Sequence, residues 1–378
     1  MKKLLLIFVL LASVCDASTL AKVLEIKADV DAIKQVLAEK NIPFTNLADI
    51  ANSLDSKLPL YSGGDGTASD PFLVFTTSHF LAIGSGDAVD YASGSWDMDK
   101  HYKQIADIDF DGVDFTPIGY GSGSGYTSFT GSYDGNGYKI SNVAYNAGAH
   151  EYIGLFAVGD GATFKNIGIE SAEFSSTHRR IAVLVGALFG SKSFISNCYV
   201  ANASISTTTS EGQTFIGPLV GQAGGDAEIR DSYADGVLIH APNANHTVGG
   251  LLGSAYSSGS SIFEMHNCWA NTTITANTSG SAFSALHDAS AFTGRSLDYS
   301  TINCKFNNTT HTVGIRNAYT QGTVTSDTTG TEGLSTADMY KQASYSGWDF
   351  TDTWQINEDE SYPFFQAPYP VQSPAPAE

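Results

Sequence analysis

Three aspartates carry the first chemistry that this chain could perform. Asp107-Ile108-Asp109-Phe110-Asp111-Gly112 starts as a calcium loop does, with carboxylates at alternate positions and glycine at the sixth. The twelfth position, where a bidentate Glu closes such a loop, is Ile118. Alternate residues of an extended strand share a face. The three acids are therefore either weak calcium ligands or structural carboxylates at a strand edge, and no other cofactor is indicated. The sequence has no HExxH for a peptidase zinc, no GxSxG elbow, no P-loop and no GxGxxG. Its nine His show no ligand spacing, and its five Arg are few for a polysaccharide hydrolase or lyase that sets cations beside acids.

Cys268 and Cys304 stand 36 residues apart at matching points of neighbouring repeats. Stacked strands about 4.8 Å apart satisfy the Cα range of a disulfide, so the spacing predicts a Cys268–Cys304 bond. The alternative is that Cys198, Cys268 and Cys304 are small buried members of one ladder. Tyr199, Tyr233, Trp269, Phe306 and Tyr319 also recur once per repeat. Exposed, they form a stripe for stacking on sugars or a flat partner; inward, they are core. They share strand parity with Ile195, Ile229, Met265 and Ile315, which favours the interior. Sequons at Asn202, Asn245, Asn271, Asn277, Asn307 and Asn308 are candidate glycan acceptors. The triplets at Ser204, Val237, Thr273 and Thr323 fail to make the unbroken Thr-x-Thr row of an ice-binding face.

The elements that must position these residues come from a degenerate repeat of about 33 residues. A Gly-hydrophobic motif appears as IGLFA (from Ile153), VGALFG (Val185), IGPLVG (Ile216), VGGLLG (Val248) and a decayed FSALHD (Phe283). A second motif follows each: FKNIGI (Phe164), ISNCYV (Ile195), IRDSYA (Ile229), MHNCWA (Met265) and INCKFN (Ile302), with IRNAYT (Ile315) standing alone. Two phase-locked motifs predict two extended segments per coil of a right-handed parallel β-solenoid. The glycines supply positive φ or close backbone approach at the corners. The column Asn166, Asn197, Asp231, Asn267, Asn303 and Asn317 predicts a ladder at another bend. The stretches between motifs lengthen along the chain and should be variable loops.

The expected divisions are a secretory signal over 1–17, with Ser18 as mature N-terminus, an α-helical leader over 18–60, a cap and first coils over 61–143, and repeats over 144–332. A C-terminal cap follows over 333–366 and a Pro-rich disordered tail is expected over 367–378. The run Leu4 to Val14 is too short to span a bilayer, and Val14 before Cys15 disfavours lipidation of that cysteine. No transmembrane segment is expected in the mature chain. Val23, Ile26, Val30, Ile33 and Leu37 follow helical spacing, so residues 20–40 are either an oligomerisation helix or a simple cap. Asp134-Gly135-Asn136-Gly137 predicts a hairpin turn. Acids outnumber bases by 39 to 19, which leaves no positive field for nucleic acid.

GDGTASDPFLV (Gly64 to Val74), ADIDFDGVDFTPIG (Ala106 to Gly119), FTGSYDGNGYKISNV (Phe129 to Val143) and the closing GLSTADMYKQASYSGWDFTDTWQINEDESYPFF (Gly333 to Phe365) resemble bacterial GLUG-repeat surface proteins. The resemblance implies a secreted or cell-surface parallel β-solenoid, as in adhesins or as an accessory part of IgA-cleaving metallopeptidases, and it brings no catalytic residues. FSALHD departs from its repeat. The expected function is display and adhesion toward a protein or glycan partner. A self-assembling fibre or surface-layer subunit and a polysaccharide-active β-helix are the alternatives.

Overall fold

The computed structural model describes residues 63–87, 94–119, 126–146, 150–177, 179–190, 192–207, 214–242, 246–256, 263–276, 282–284, 287–289, 299–307, 315–317 and 331–372. The signal, the helical leader, residues 373–378 of the tail, Tyr319 and the sequons at Asn245, Asn277 and Asn308 lie outside them.

The described chain is a parallel β-solenoid. Face one is an eight-stranded sheet running from Phe72–Val74 to Tyr299–Ile302. Consecutive coils align Phe72, Tyr102, Tyr133, Phe164, Ile195, Ile229 and Met265 as one inward column. Faces two and three share an eleven-stranded sheet with branches. Face two stacks Ile108, Ile140, Ile169, Val200, Ala234, Ala270 and Phe306 inward. Face three stacks Tyr145, Phe174, Ile205, Ile239 and Ile274. The Gly-hydrophobic motif closes the coil with two short sheets, one of five strands and one of six. IGLFA, IGPLVG, VGGLLG and FSALHD therefore each straddle a bend, whereas VGALFG lies within the single strand Val185–Phe189. In that coil Ile181 and Val185 match Ile216 and Val220, so residues 181–186 occupy the bend. The coil has up to five extended segments where the periodicity alone predicted two.

The bends explain the sequence columns. Asn166, Asn197, Asp231, Asn267 and Asn303 all have φ between 44° and 56°, the left-handed region that Asn and Asp tolerate best after glycine. Their side chains link coils: Asn166 Nδ2 donates to Asp134 Oδ1 at 2.9 Å and Asn267 Nδ2 to Asp231 Oδ1 at 3.0 Å. The motif glycines serve a different purpose. A Cβ on Gly253 would lie 2.4 Å from the Gly221 carbonyl oxygen, and one on Gly221 2.6 Å from that of Gly186. Gly186, Gly221 and Gly253 permit close approach of backbones in successive coils at φ values outside the left-handed region, whereas Gly190, which ends VGALFG, sits at φ 79°. At FSALHD, Ala282–Ser284 and His287–Ala289 still pair in parallel with the preceding coil, with a register shift between Leu252 and Ser254.

Asp134-Gly135-Asn136-Gly137 does turn tightly, with positive φ at Asn136 and Gly137. It does not make a hairpin. Ser132–Asp134 pairs with face-one strands and Lys139–Ser141 with face-two strands, so the turn is a solenoid corner. A short helix, α1 (Thr77–Ala82), is N-capped by Thr76 and sets Phe80 against Phe110, Tyr133 and Phe156. Phe80 is fully buried and plugs the aromatic bore at the N-terminal end of the array.

Candidate functional site

The once-per-coil aromatics point away from the solenoid core. Val200 lies in the main core cluster, while Tyr199 and Ala201 on either side of it belong to a second one. The left-handed bend at Asn197, and its equivalents at Asp231 and Asn267, reset the alternation, so parity counted from Ile195 does not carry across. Tyr199, Tyr233 and Trp269 stack in register with ring centroids 5.0 and 4.8 Å apart and planes within 11° and 7°. The predicted fourth member is displaced. Lys305 pairs with Trp269, and Phe306 falls opposite Ala270 and enters the core.

This outward stripe is nonetheless buried, because the C-terminal segment is folded back across it. Helix α2 (Thr336–Met339), capped by Ser335, leads to an antiparallel hairpin of Trp354–Gln355 and Phe364–Phe365. Tyr362 stacks on Trp269 at 5.0 Å and so takes the place that Phe306 vacates. Trp354 and Phe365 are fully buried and pack at 4.6 Å from one another, with Phe365 5.1 Å from Tyr233. Polar contacts pin this strap along the rod. Trp348 Nε1 donates to the Asn303 carbonyl at 2.9 Å and Asn307 Nδ2 to the Tyr362 hydroxyl at 2.9 Å. Gln372 Nε2 donates to Asp235 Oδ2 at 3.0 Å. At its far end, Pro368 passes over Gly137, where a Cβ would meet its carbonyl oxygen at 2.3 Å. The stripe is thus neither solenoid core nor open sugar platform.

Burial shapes the ionisable groups beneath the strap. It raises the carboxyls of Asp235 and Asp231 above the ordinary range, against hydrogen bonds from Asn271 and Gln372 to the first and from Asn267 and Trp354 to the second. Burial also pushes the Tyr199 hydroxyl far up, and that hydroxyl donates to Glu170 Oε1 at 2.6 Å.

Asp107, Asp109 and Asp111 are exposed and are not gathered around a common point. Asp107 Oδ1 accepts from the Lys139 backbone N–H at 2.8 Å, and Asp109 Oδ1 accepts from Asn142 Nδ2 at 2.8 Å and from the Asp111 N–H at 3.1 Å. These acids hold bends. Among the described residues, the side chains that come together with metal-ligand chemistry are Glu228, Glu264 and His266 on face one. The sequence signal for them was present but faint: Glu-x-His on a strand, with a Glu one repeat earlier.

Cys268 and Cys304 are neighbours in the ladder, yet all three described cysteines are free thiols, which corrects the expected bond. Cys268 Sγ lies 3.1 Å from the His266 carbonyl and Cys304 Sγ 3.6 Å from that of Ile302, and the two thiols also contact each other. Of the sequons, Asn202 is exposed, whereas Asn307 is buried with its Nδ2 donating to Thr336 and Tyr362. Asn271 Nδ2 is likewise committed to Asp235. Burial removes Asn307 as a glycan acceptor in the folded chain.

What stays open is face three. Its outward rows align Ala144 and Asn146, Glu173 and Ser175, Ser204 and Ser206, Leu238 and His240, then Thr273 and Thr275. These side chains are exposed or half-exposed, and Leu238 is 57% exposed.

No family model matches the chain. It is similar to Halomucin of Haloquadratum walsbyi, 27% identical over 201 residues, which is 53% of this chain and 2% of that protein. It is also similar to a "Putative Gly-rich membrane protein" of Evansella cellulosilytica, 29% identical over 138 residues, 35% of this chain and 14% of the relative. The chain thus spans a small part of the length of both. Among solved structures it resembles a "putative immunoglobulin A1 protease" from Bacteroides ovatus, with a TM-score of 0.53 and 19% identity over 81% of this chain and 95% of that one. What they share is the fold. At that identity the likeness says nothing of peptidase chemistry. No helix of the described residues is long and apolar enough to cross a membrane.

Proposed function

We propose that this chain is a secreted or cell-surface β-solenoid that acts by binding, without catalysis, and that face three is its contact surface. The observation that carries this reading is the open, in-register array of Ser, Thr, His and Leu side chains from Ser175 to Thr275, preceded by Ala144, Asn146 and Glu173, beside a strap that closes the aromatic stripe on face two. Strands about 4.8 Å apart make such an array flat and repetitive, which suits an extended protein or glycan partner. The likeness to Halomucin and to a Gly-rich membrane protein supports a surface location. The likeness of the repeats and closing segment to GLUG-repeat surface proteins supports adhesion. Against a polysaccharide-cleaving role, Asp107 and Asp109 are occupied in holding bends.

The test is an array of matrix proteins and glycans probed with the wild-type chain and with His240→Glu/Thr275→Glu. Both positions are exposed, so the double variant should fold normally and lose binding. Equal binding by the two proteins would remove face three from the reading. Light scattering of the same samples separates binding to a partner from self-assembly.

A further inference from the structure

Face one carries an arrangement that the binding reading does not use. Glu228 and Glu264 are register partners on the adjacent strands Glu228–Arg230 and Phe263–His266, and His266 lies two residues beyond Glu264 on the same outer side. One ligand atom from each residue lies within 4.8 Å of the other two. His266 Nε2 is 3.5 Å from Glu264 Oε2 and 3.8 Å from Glu228 Oε1. Those separations are too long for hydrogen bonds, whose N···O distances fall at about 2.7–3.2 Å. They match the edge of a tetrahedron around zinc: bonds of about 2.1 Å place neighbouring ligand atoms about 3.4 Å apart. His266 Nε2 is itself sealed from solvent and has no hydrogen-bond partner. A buried imidazole nitrogen without a partner is costly unless something fills that position.

We propose that Glu228, Glu264 and His266 form a site for a zinc-type divalent cation that clips two neighbouring coils together. One imidazole and two carboxylates are a borderline donor set that favours Zn²⁺ over Ca²⁺. The carboxylates approach from the solvent side, with side-chain exposures of 24% and 43%. The fourth position therefore faces outward, open to water or to a donor from a binding partner. One group competes: Arg230 Nε donates to the same Glu228 Oε1 at 2.6 Å. The ion must displace that guanidinium, which holds the affinity below that of a dedicated site. The proposal is independent of the face-three reading, since the two faces share no residue.

Titrating the tag-free, metal-stripped full chain with Zn²⁺ by calorimetry, and with Co²⁺ by visible absorption, tests it. The wild type should bind one equivalent that His266→Ala and Glu264→Gln each weaken at least about tenfold. Tetrahedral Co²⁺ bands should disappear in the same variants. Arg230→Ala should tighten binding, because it frees Glu228 Oε1. A wild-type isotherm indistinguishable from that of His266→Ala would overturn the site, as would weaker binding by Arg230→Ala. All three substitutions sit on the outer face of a sheet, and an unchanged circular dichroism spectrum reports that the coils persist.

Discussion

Replacing Trp354 with Ala should detach the strap while leaving the coils intact. The indole is fully buried, packs at a tilt 4.6 Å from both Phe365 and Trp348, and lies 5.9 Å from Tyr233. A buried Trp removes about 150–250 Å² from water, which at about 25 cal/mol/Å² is roughly 4–6 kcal/mol before allowance for a compact unfolded state. Trp-to-Ala substitutions in cores lose about 3–5 kcal/mol. The weak 3.5 Å bond from Nε1 to Asp231 adds little. At about 1.4 kcal/mol per tenfold, the open population of the strap should rise by roughly two to three and a half powers of ten. Because solenoid coils are held mainly by their nearest neighbours, this loss should stay local. Hydrogen exchange read by mass spectrometry should speed up over 336–370 and at the strands containing Tyr199 and Tyr233. Rates at Phe164 and Ile195 should hold. Uniform acceleration over the whole array would refute the reasoning, for it would make the strap part of one indivisible core. Unchanged exchange over 336–370 would refute it from the other side.

The raised carboxyls of Asp235 and Asp231 fix a pH dependence. A buried acid whose folded pKa exceeds its unfolded value of 3.8 is protonated preferentially in the folded state, so its contribution to stability falls as pH rises from about 4 through that folded value. Asp235→Asn should flatten this slope in thermal melts between about pH 4 and 7, and an unchanged slope would assign it elsewhere. Burial raises the Cys198 thiol to about 12 and lifts that of Cys268 as well, so native protein should not react with a disulfide reagent at pH 8, while the unfolded mature chain releases its thiols. Identical masses with and without reductant, after alkylation, should confirm that Cys268 and Cys304 are unbonded. Gly253→Ala forces a methyl to 2.4 Å from the Gly221 oxygen and should destabilise by about 1–3 kcal/mol or more, seen as a lower Tm. In a glycosylating host the secreted, folded fraction should carry a glycan at Asn202 and none at Asn307, as peptide mapping would show.

The scaffold was readable because both of its signals are local. The motif glycines answer to backbone clashes one coil away, and the Asn column answers to a φ that few other residues accept. The orientation of the aromatic stripe was not readable by counting alternate residues, since a single left-handed residue at Asn197 reverses the count. Phe306 misled for a related reason: Lys305, one position earlier, holds the register of Trp269, and an ion pair to Glu332 at 2.6 Å occupies it. The strap was legible only as a cap. Its contacts to Asp231 and Asp235 join residues 123 and 137 positions apart, and no periodicity links a repeat to a segment that occurs once. The Glu228–Glu264–His266 group escaped for want of a recognised spacing, because a strand-borne triad is split across a whole coil.

The strap also has a mechanical consequence. Tension on the chain beyond Gln372 loads the strap before it loads any coil, and it does so one contact at a time, from Asp235 and Gly137 toward Trp354 and then Asn303. Peeling residues 335–372 would release roughly 125–135 Å of extended chain. The rod would keep its shape during that travel, and the stretch would reverse when the load fell. A stiff, coil-stacked body would in this way carry its own compliant tether.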